Sequence, residues 1–198
     1  MTSPLRLVVA ITGSSGAIYG IRLLEALRKL RQVETHLVLS KGGKLTLGLE
    51  TGRKLKEVEA LADVVHSDQN LAASIASGSF RTAGMIVAPC SMKTLSGIVH
   101  SYADTLVVRA ADVVLKERRQ LVLMPRESPL HAGHCRLLLQ AAEMGAVIAP
   151  PMPAFYNAPR NIDDMVDHSV GRVLDLFGLD SGLVKRWTGP KSAKPRKR

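Results

Sequence analysis

The chain has 198 residues, 46% of them hydrophobic and 22% charged, with a formal net charge of +10. That length suits one domain with a sizeable core, and the apolar content excludes a wholly disordered chain. No apolar run approaches the ~18 residues that a membrane span needs, and the run at 7–11 is too short for a secretory signal.

In chain order, residues 5–12 form a β-rich run that ends in Gly13-Ser14-Ser15-Gly16. Ile18, Ile21, Leu24 and Leu27 then recur at helical spacing. Residues 35–39 predict a second strand, followed by Ser40-Lys41-Gly42-Gly43, a short helix around 45–51 and a mixed-charge helix around 55–65. The third strand is expected at 85–88, broken by Pro89, with helices at 91–100 and 105–118. Continuous apolar strands at 121–124 and 146–148 flank a helix at 134–144, and Asn161 is placed to cap a last helix at 162–177. Apolar strands alternating with helices predict a parallel sheet covered on both faces, a three-layer, doubly wound, Rossmann-like α/β fold.

The charge is unevenly placed, since residues 185–198 hold seven basic side chains and no acid. We therefore expect a single domain over 1–187 and a disordered basic tail over 188–198. With only one Trp, three Tyr and three Phe, the chain offers no platform for stacked bases, so specific nucleic-acid binding is not expected. Two cysteines, Cys90 and Cys135, cannot frame a disulfide scaffold and fit a reducing, cytoplasmic setting.

In such folds ligands bind beyond the carboxyl ends of the strands, where strand order reverses. Five strand-end turns are polar: Gly13 to Gly16, Ser40 to Gly43, Pro89 to Thr94, Pro125 to Pro129, and Pro150 to Tyr156. Together they favour a phosphate-bearing ligand, with Lys93 and Arg126 as cations and backbone N–H groups at helix starts. The first turn has neither the GxGxxG spacing of dinucleotide folds nor the Gly-Lys-Ser/Thr ending of a P-loop. His131 and His134 lack the further ligands of a metal site and read as helix-start residues. Cys90 reads as a small buried hydrophobe, with no His near it in sequence. Glu127, beside Arg126 at a strand end, is the best acid/base candidate.

Longer motifs sharpen this reading. Thr-Gly-Ser-Ser-Gly-Ala at 12–17, Leu-Glu-Thr at 49–51, Ser-Gly-Ser-Phe at 77–80 and Pro-Cys-Ser-Met-Lys-Thr-Leu-Ser-Gly at 89–97 resemble the UbiX-like flavin prenyltransferases. So do Arg-Ala-Ala-Asp-Val-Val-Leu-Lys-Glu at 109–117, Pro-Arg-Glu-Ser-Pro-Leu at 125–130 and Pro-Ala-Phe-Tyr at 153–156. The resemblance implies a flavodoxin-like fold and a metal-independent enzyme that joins the dimethylallyl group of dimethylallyl monophosphate to reduced FMN. New bonds at the flavin N5 and its neighbouring ring carbon would build a fourth ring. The product, prenylated FMN, would serve a UbiD-type decarboxylase, and the family assembles as a homo-oligomer, a dodecamer.

By the same resemblance, FMN contacts fall on Gly13, Ser14, Ser15, Ser40, Ser91, Met92, Lys93, Thr94 and Arg126. Contacts to the prenyl phosphate fall on Ser77, Arg109, Lys116, Arg126, Glu127, Tyr156 and Arg172. Glu127, Ser15, Glu50 and Trp187 match catalytic positions, with Glu127 handling protons and Trp187 closing over the prenyl group. Many relatives have Gly-Ala-Ser-Gly and Ser-Lys-Ala-Ala where this chain has Gly-Ser-Ser-Gly and Ser-Lys-Gly-Gly. The alternatives are an FMN-dependent decarboxylase of cysteine-type substrates and a non-catalytic flavin carrier.

Overall fold

The computed structural model of the chain describes residues 4–187 and 189, so the tail expected over 188–198 lies, Gly189 apart, outside the described residues. Six strands are present: β1 (Leu5–Ile11), β2 (Val33–Leu39), β3 (Val64–Ser67), β4 (Gly84–Cys90), β5 (Gln120–Pro125) and β6 (Val147–Ile148). They pair in parallel in the order β3-β2-β1-β4-β5-β6. Order therefore reverses between β1 and β4. Among the described residues six α-helices lie between the strands, α1 (Ala17–Leu30), α2 (Lys41–Thr51), α3 (Leu55–Glu59), α4 (Met92–Val99), α5 (Leu106–Lys116) and α6 (Ala132–Glu143), and α7 (Ile162–Asp175) follows β6.

Alternation along the central strands sorts the core into two layers. Leu7, Val9 and Ile11 of β1 join Ile86, Val122 and Met124 under α1 and α7, whose Ile21, Leu24, Val170 and Leu174 are fully buried. Val8 and Ala10 join Met85, Val87, Leu121 and Leu123 under α4, α5 and α6. The sandwich of helices, sheet and helices is the three-layer, doubly wound arrangement that the apolar strands predict and that the resemblance implies as flavodoxin-like. Among the described residues no helix is long and apolar enough to cross a membrane.

Two expected elements differ. Residues 55–65 are not one helix: α3 ends at Glu59, and β3 begins at Val64. Tertiary pairing overrides helical propensity here. The Thr35 backbone N–H donates to Asp63 Oδ2 (2.7 Å) and the Asp63 N–H to Thr35 Oγ1 (3.0 Å), which tethers the segment to β2. Nor does Pro89 end the third strand expected from sequence. Strand β4 runs on to Cys90, and Pro89 sits in an irregular stretch of the β4–β5 register, where its missing N–H removes no regular ladder bond. Cys90 is fully buried, and burial pushes its thiol up to about 12. His131 does start α6: its Nδ1 accepts from the Gly133 (3.0 Å) and His134 (3.3 Å) N–H groups.

Thr12, fully buried, ties the two sides of the reversal together. Its hydroxyl donates to the Pro89 carbonyl (2.8 Å) and accepts from the Ser91 N–H (2.8 Å), while its own N–H also reaches Pro89 O (3.2 Å). Thr12→Val keeps the shape and deletes both hydroxyl bonds. We expect it to lower the unfolding free energy by about 1–3 kcal/mol, the cost of unpaired buried polar groups, with Thr12→Ser near wild type in urea titration.

Candidate functional site

The turns after β1, β2, β3, β4 and β5 enclose one crevice of about 1020 Å³ at the strand reversal. It is lined by Gly13, Ser14 and Ser15, by Ser40, by Ser91, Met92, Lys93 and Thr94, and by Arg126 and Glu127. Every residue matched to FMN contacts thus lies in this one place. The fifth polar turn named from sequence, at Pro150 to Tyr156, is not among its walls, and the turn after β3 takes its place.

Three helices begin at the crevice. Ser40 caps α2 by accepting from the Gly43 N–H (3.0 Å), Ser91 caps α4 from Thr94 (3.2 Å), and Thr105 caps α5 from Val108 (3.5 Å). Their unpaired N–H groups favour an anion, and Lys93 and Arg126 add full charges. Among the described residues Arg126 makes no salt bridge, whereas Lys116 is held by Glu117 and Arg172 by Asp175. Ser14 Oγ is buried without a hydrogen-bond partner. Buried hydroxyls are almost always paired, so this atom fits a ligand acceptor such as a phosphoryl oxygen.

Gly13 has a tighter constraint than ligand approach. A Cβ there would lie 2.8 Å from the Gly42 Cα, so the turns after β1 and β2 touch backbone to backbone. A larger side chain at Gly13 would part these turns.

The N-terminus of α1, expected to face a ligand, is instead occupied. Glu50, on the last turn of α2, accepts from the Gly16 (2.8 Å) and Ala17 (3.2 Å) N–H groups through Oε2. Gly16 permits this with a left-handed backbone (φ 103°). Burial disfavours the Glu50 carboxylate, but those two N–H groups, the Ser15 hydroxyl and the Arg126 charge outweigh it and hold its pKa below the usual value. Ser15 therefore stands beside Glu50, at the edge of the crevice. Glu127 Oε1 accepts from the Ser128 N–H (3.0 Å), and among the described residues no ion pair joins it to Arg126.

The remaining substrate residues form two separate groups. Arg109 donates to the Ala76 carbonyl (3.1 Å) and to Asp112 (2.9 Å), beside Ser77 and Lys116, whose Nζ reaches Glu117 (2.5 Å). On the other flank Arg172 fronts a cavity of about 250 Å³ with Met124, Met152 and Leu176. Near it the Tyr156 ring meets the Trp187 ring edge-on, with centroids 5.9 Å apart. One protomer does not bring these two groups to the crevice.

Asp68 is a charged lining residue that sequence reasoning missed, along with Gln69, Asp104 and Thr105. It is nine-tenths buried, accepts from the Val107 N–H (3.1 Å), and has its carboxyl pushed up by burial. The signal was the strand before it: reading Val64–Ser67 as β3 places Asp68 in a strand-end turn.

A doubly wound sheet with anion-binding turns at its strand reversal defines a flavodoxin-like nucleotide-cofactor protein. Comparison with known proteins narrows this class. A family model described as Flavoprotein matches residues 1–174. The flavin prenyltransferase UbiX of Escherichia coli K12 is 61% identical over 186 residues, which are 93% of this chain and 98% of the relative. A crystal structure of AnUbiX in complex with FMN and dimethylallyl pyrophosphate is 53% identical, with a TM-score of 0.93 over 95% of this chain and all of that one (100%). A dodecameric, FMN-dependent UbiX-like decarboxylase from Escherichia coli O157:H7 is 56% identical, with a TM-score of 0.92 over 93% of this chain and 100% of its own. The chain belongs to the UbiX family of flavin prenyltransferases.

Because the folded state lowers the Glu50 pKa, its ionised carboxylate stabilises the protein above the ordinary value of 4.5, and that contribution fades as pH falls through the folded value. We expect Glu50→Gln to melt below wild type at pH 7, with the gap closing on acidification. A gap that does not change with pH would mean that hydrogen bonding, and not charge, sets the contribution.

Proposed function

We propose that this chain transfers the dimethylallyl group of dimethylallyl monophosphate to reduced FMN, using residues 1–187 as its catalytic domain. The observation that carries the reading is the match, over 95% of the chain, to AnUbiX in complex with FMN and dimethylallyl pyrophosphate, with every matched FMN contact in one crevice. Reduced FMN, when bound, supplies the nucleophilic N5 and neighbouring ring carbon.

The chain's own residues do the rest. Ser14, the capped starts of α2 and α4, and Arg126 hold the cofactor's phosphate. Breaking the allylic C–O bond leaves phosphate, whose charge Arg109, Lys116, Arg126 and Arg172 meet as preorganised donors. Losing one such donor costs ~10²–10³ in rate. Tyr156 and Trp187 present electron-rich faces that suit an allylic cation and exclude water. The Glu127 carboxylate accepts the proton released as the ring closes, close to both the crevice and Arg126.

This division of labour needs more than one protomer, because the cations lie in three groups. Large apolar side chains stand exposed beside the third: Met152 at 71%, Phe155 at 73% and Trp187 at 65%. Exposed apolar patches of this kind mark interfaces. We therefore place the complete site at subunit boundaries of a homo-oligomer, a dodecamer like the Escherichia coli O157:H7 relative. The product then passes to a UbiD-type decarboxylase in the cytoplasm.

Anaerobic incubation with reduced FMN and dimethylallyl monophosphate should yield a flavin heavier by the prenyl group. A mass unchanged from FMN would leave a flavin carrier. Glu127→Gln should bind FMN and substrate yet form the four-ring product slowly in single-turnover absorbance, and wild-type formation would leave phosphate as the base. Light scattering should give a multiple of the 21.4 kDa chain, and a monomer mass would refute the shared site.

A further inference from the structure

Arg172 and Trp187 belong to different segments, α7 and the stretch that follows it, yet one carboxylate controls both. Asp175 sits on the last turn of α7 with its side chain only 16% exposed. Arg186 grips it with two prongs, Nη1 to Oδ2 at 2.5 Å and Nη2 to Oδ1 at 2.8 Å. Arg172 shares the same Oδ2 through one nitrogen, Nη1, at 2.9 Å. Asp180 adds a weaker contact to Arg186 at 3.4 Å. Most surface ion pairs contribute little, but a forked pair within a network of fixed charges is the exception.

The fork has two mechanical consequences. Arg186 is the residue before Trp187, so its grip folds residues 176–187 back along α7, where Leu183 and Val184 pack against Gly171. A Cβ at Gly171 would lie 2.5 Å from Val184 Cγ2, so this stretch lies tight against the helix. The indole is thereby delivered to the Tyr156 ring. Because Arg186 occupies both carboxylate oxygens, Arg172 is held by one prong alone, and its other N–H donors are left for a phosphate.

We propose that Asp175 is a positioning residue for the prenyl-phosphate end of the site, which it sets by latching the 176–187 stretch through Arg186 and orienting Arg172 through a single shared oxygen. The role rests on the reading of Arg172 and Trp187 as substrate contacts. Asp175 itself touches no reacting atom. Its side-chain bonds with Arg186, opposed by burial and aided by the charge of Arg186 and Arg172, hold its carboxyl below the usual aspartate range, so the latch stays charged at neutral pH.

The chain's single tryptophan makes the latch directly visible, since all indole fluorescence comes from Trp187. In the full-length assembled protein, Asp175→Asn and Arg186→Gln should both raise acrylamide quenching of that emission, and the double variant should show no further rise. Asp175→Asn should raise KM for dimethylallyl monophosphate about tenfold, the cost of two side chains that must be immobilised on binding, with kcat and FMN affinity within about twofold. Arg186→Gln, which leaves Arg172 on Asp175, should raise KM less. Unchanged quenching in both single variants would overturn the latch. Raised quenching with an unchanged KM would overturn the placement of Arg172 and Trp187 at the substrate, and with it the role of Asp175 in the reaction.

Discussion

The hydroxyl of Thr12 is the constraint on which the crevice depends. The connections after neighbouring parallel strands diverge at the point of reversal, because they leave on opposite faces of the sheet. Nothing in the ladder itself holds the two turns at a fixed separation there. Thr12 does so by bonding at once to the Pro89 carbonyl and the Ser91 N–H, each at 2.8 Å. Ser91 then opens α4 as its cap, and Gly13 begins the turn that rests on Gly42. A buried three-way junction thus fixes the distance between the first turn and the start of α4. The anion-binding groups on either side are preorganised by it and do not need to be gathered by the ligand.

Charge is distributed with similar economy. Of the four cations matched to the substrate phosphate, three rest on an acidic partner in the same chain: Arg109 on Asp112, Lys116 on Glu117 and Arg172 on Asp175. These partners keep the guanidinium and ammonium groups ordered and lower the mutual repulsion of a site that collects positive charge. Arg126 differs, lying close enough to Glu50 to lower its pKa without a salt bridge to it among the described residues. The cation nearest the cofactor crevice is therefore the one most available to a ligand.

Much of this was legible in the residue order because Gly, Ser and Pro punctuate the chain wherever a buried strand turns into a helix. The central strands, four of the five crevice turns and the cap at Asn161 lie where those signals put them, whereas Ser40 caps a helix expected only from about residue 45. Strand β3 was not legible, since Val64 to Ser67 is short, half-exposed and preceded by helix-forming residues. Its state is decided by pairing with β2, through the Asp63–Thr35 bonds and the ladder of His36 to Leu39 with Val64 to Ser67, and these join residues 28 apart. The carboxylate partners were hidden for the same reason. A motif shows that a cation is present, whereas its neighbour in space depends on the turn of a helix or the path of a distant segment. Least legible was the division of the substrate residues into three groups, which is a property of surfaces and not of local pattern.

The sheet's outer members bear on how copies of this chain can meet. Its margins are β3, four residues long, and β6, of two residues. A margin that short offers few open main-chain groups to a neighbouring sheet, a common protection against runaway edge-to-edge growth. Six strands are thus the natural width of this sheet, and association has to proceed through side-chain surfaces on helices and loops. Such surfaces are irregular and handed, and they can close into a finite shell of copies where a growing ribbon could not.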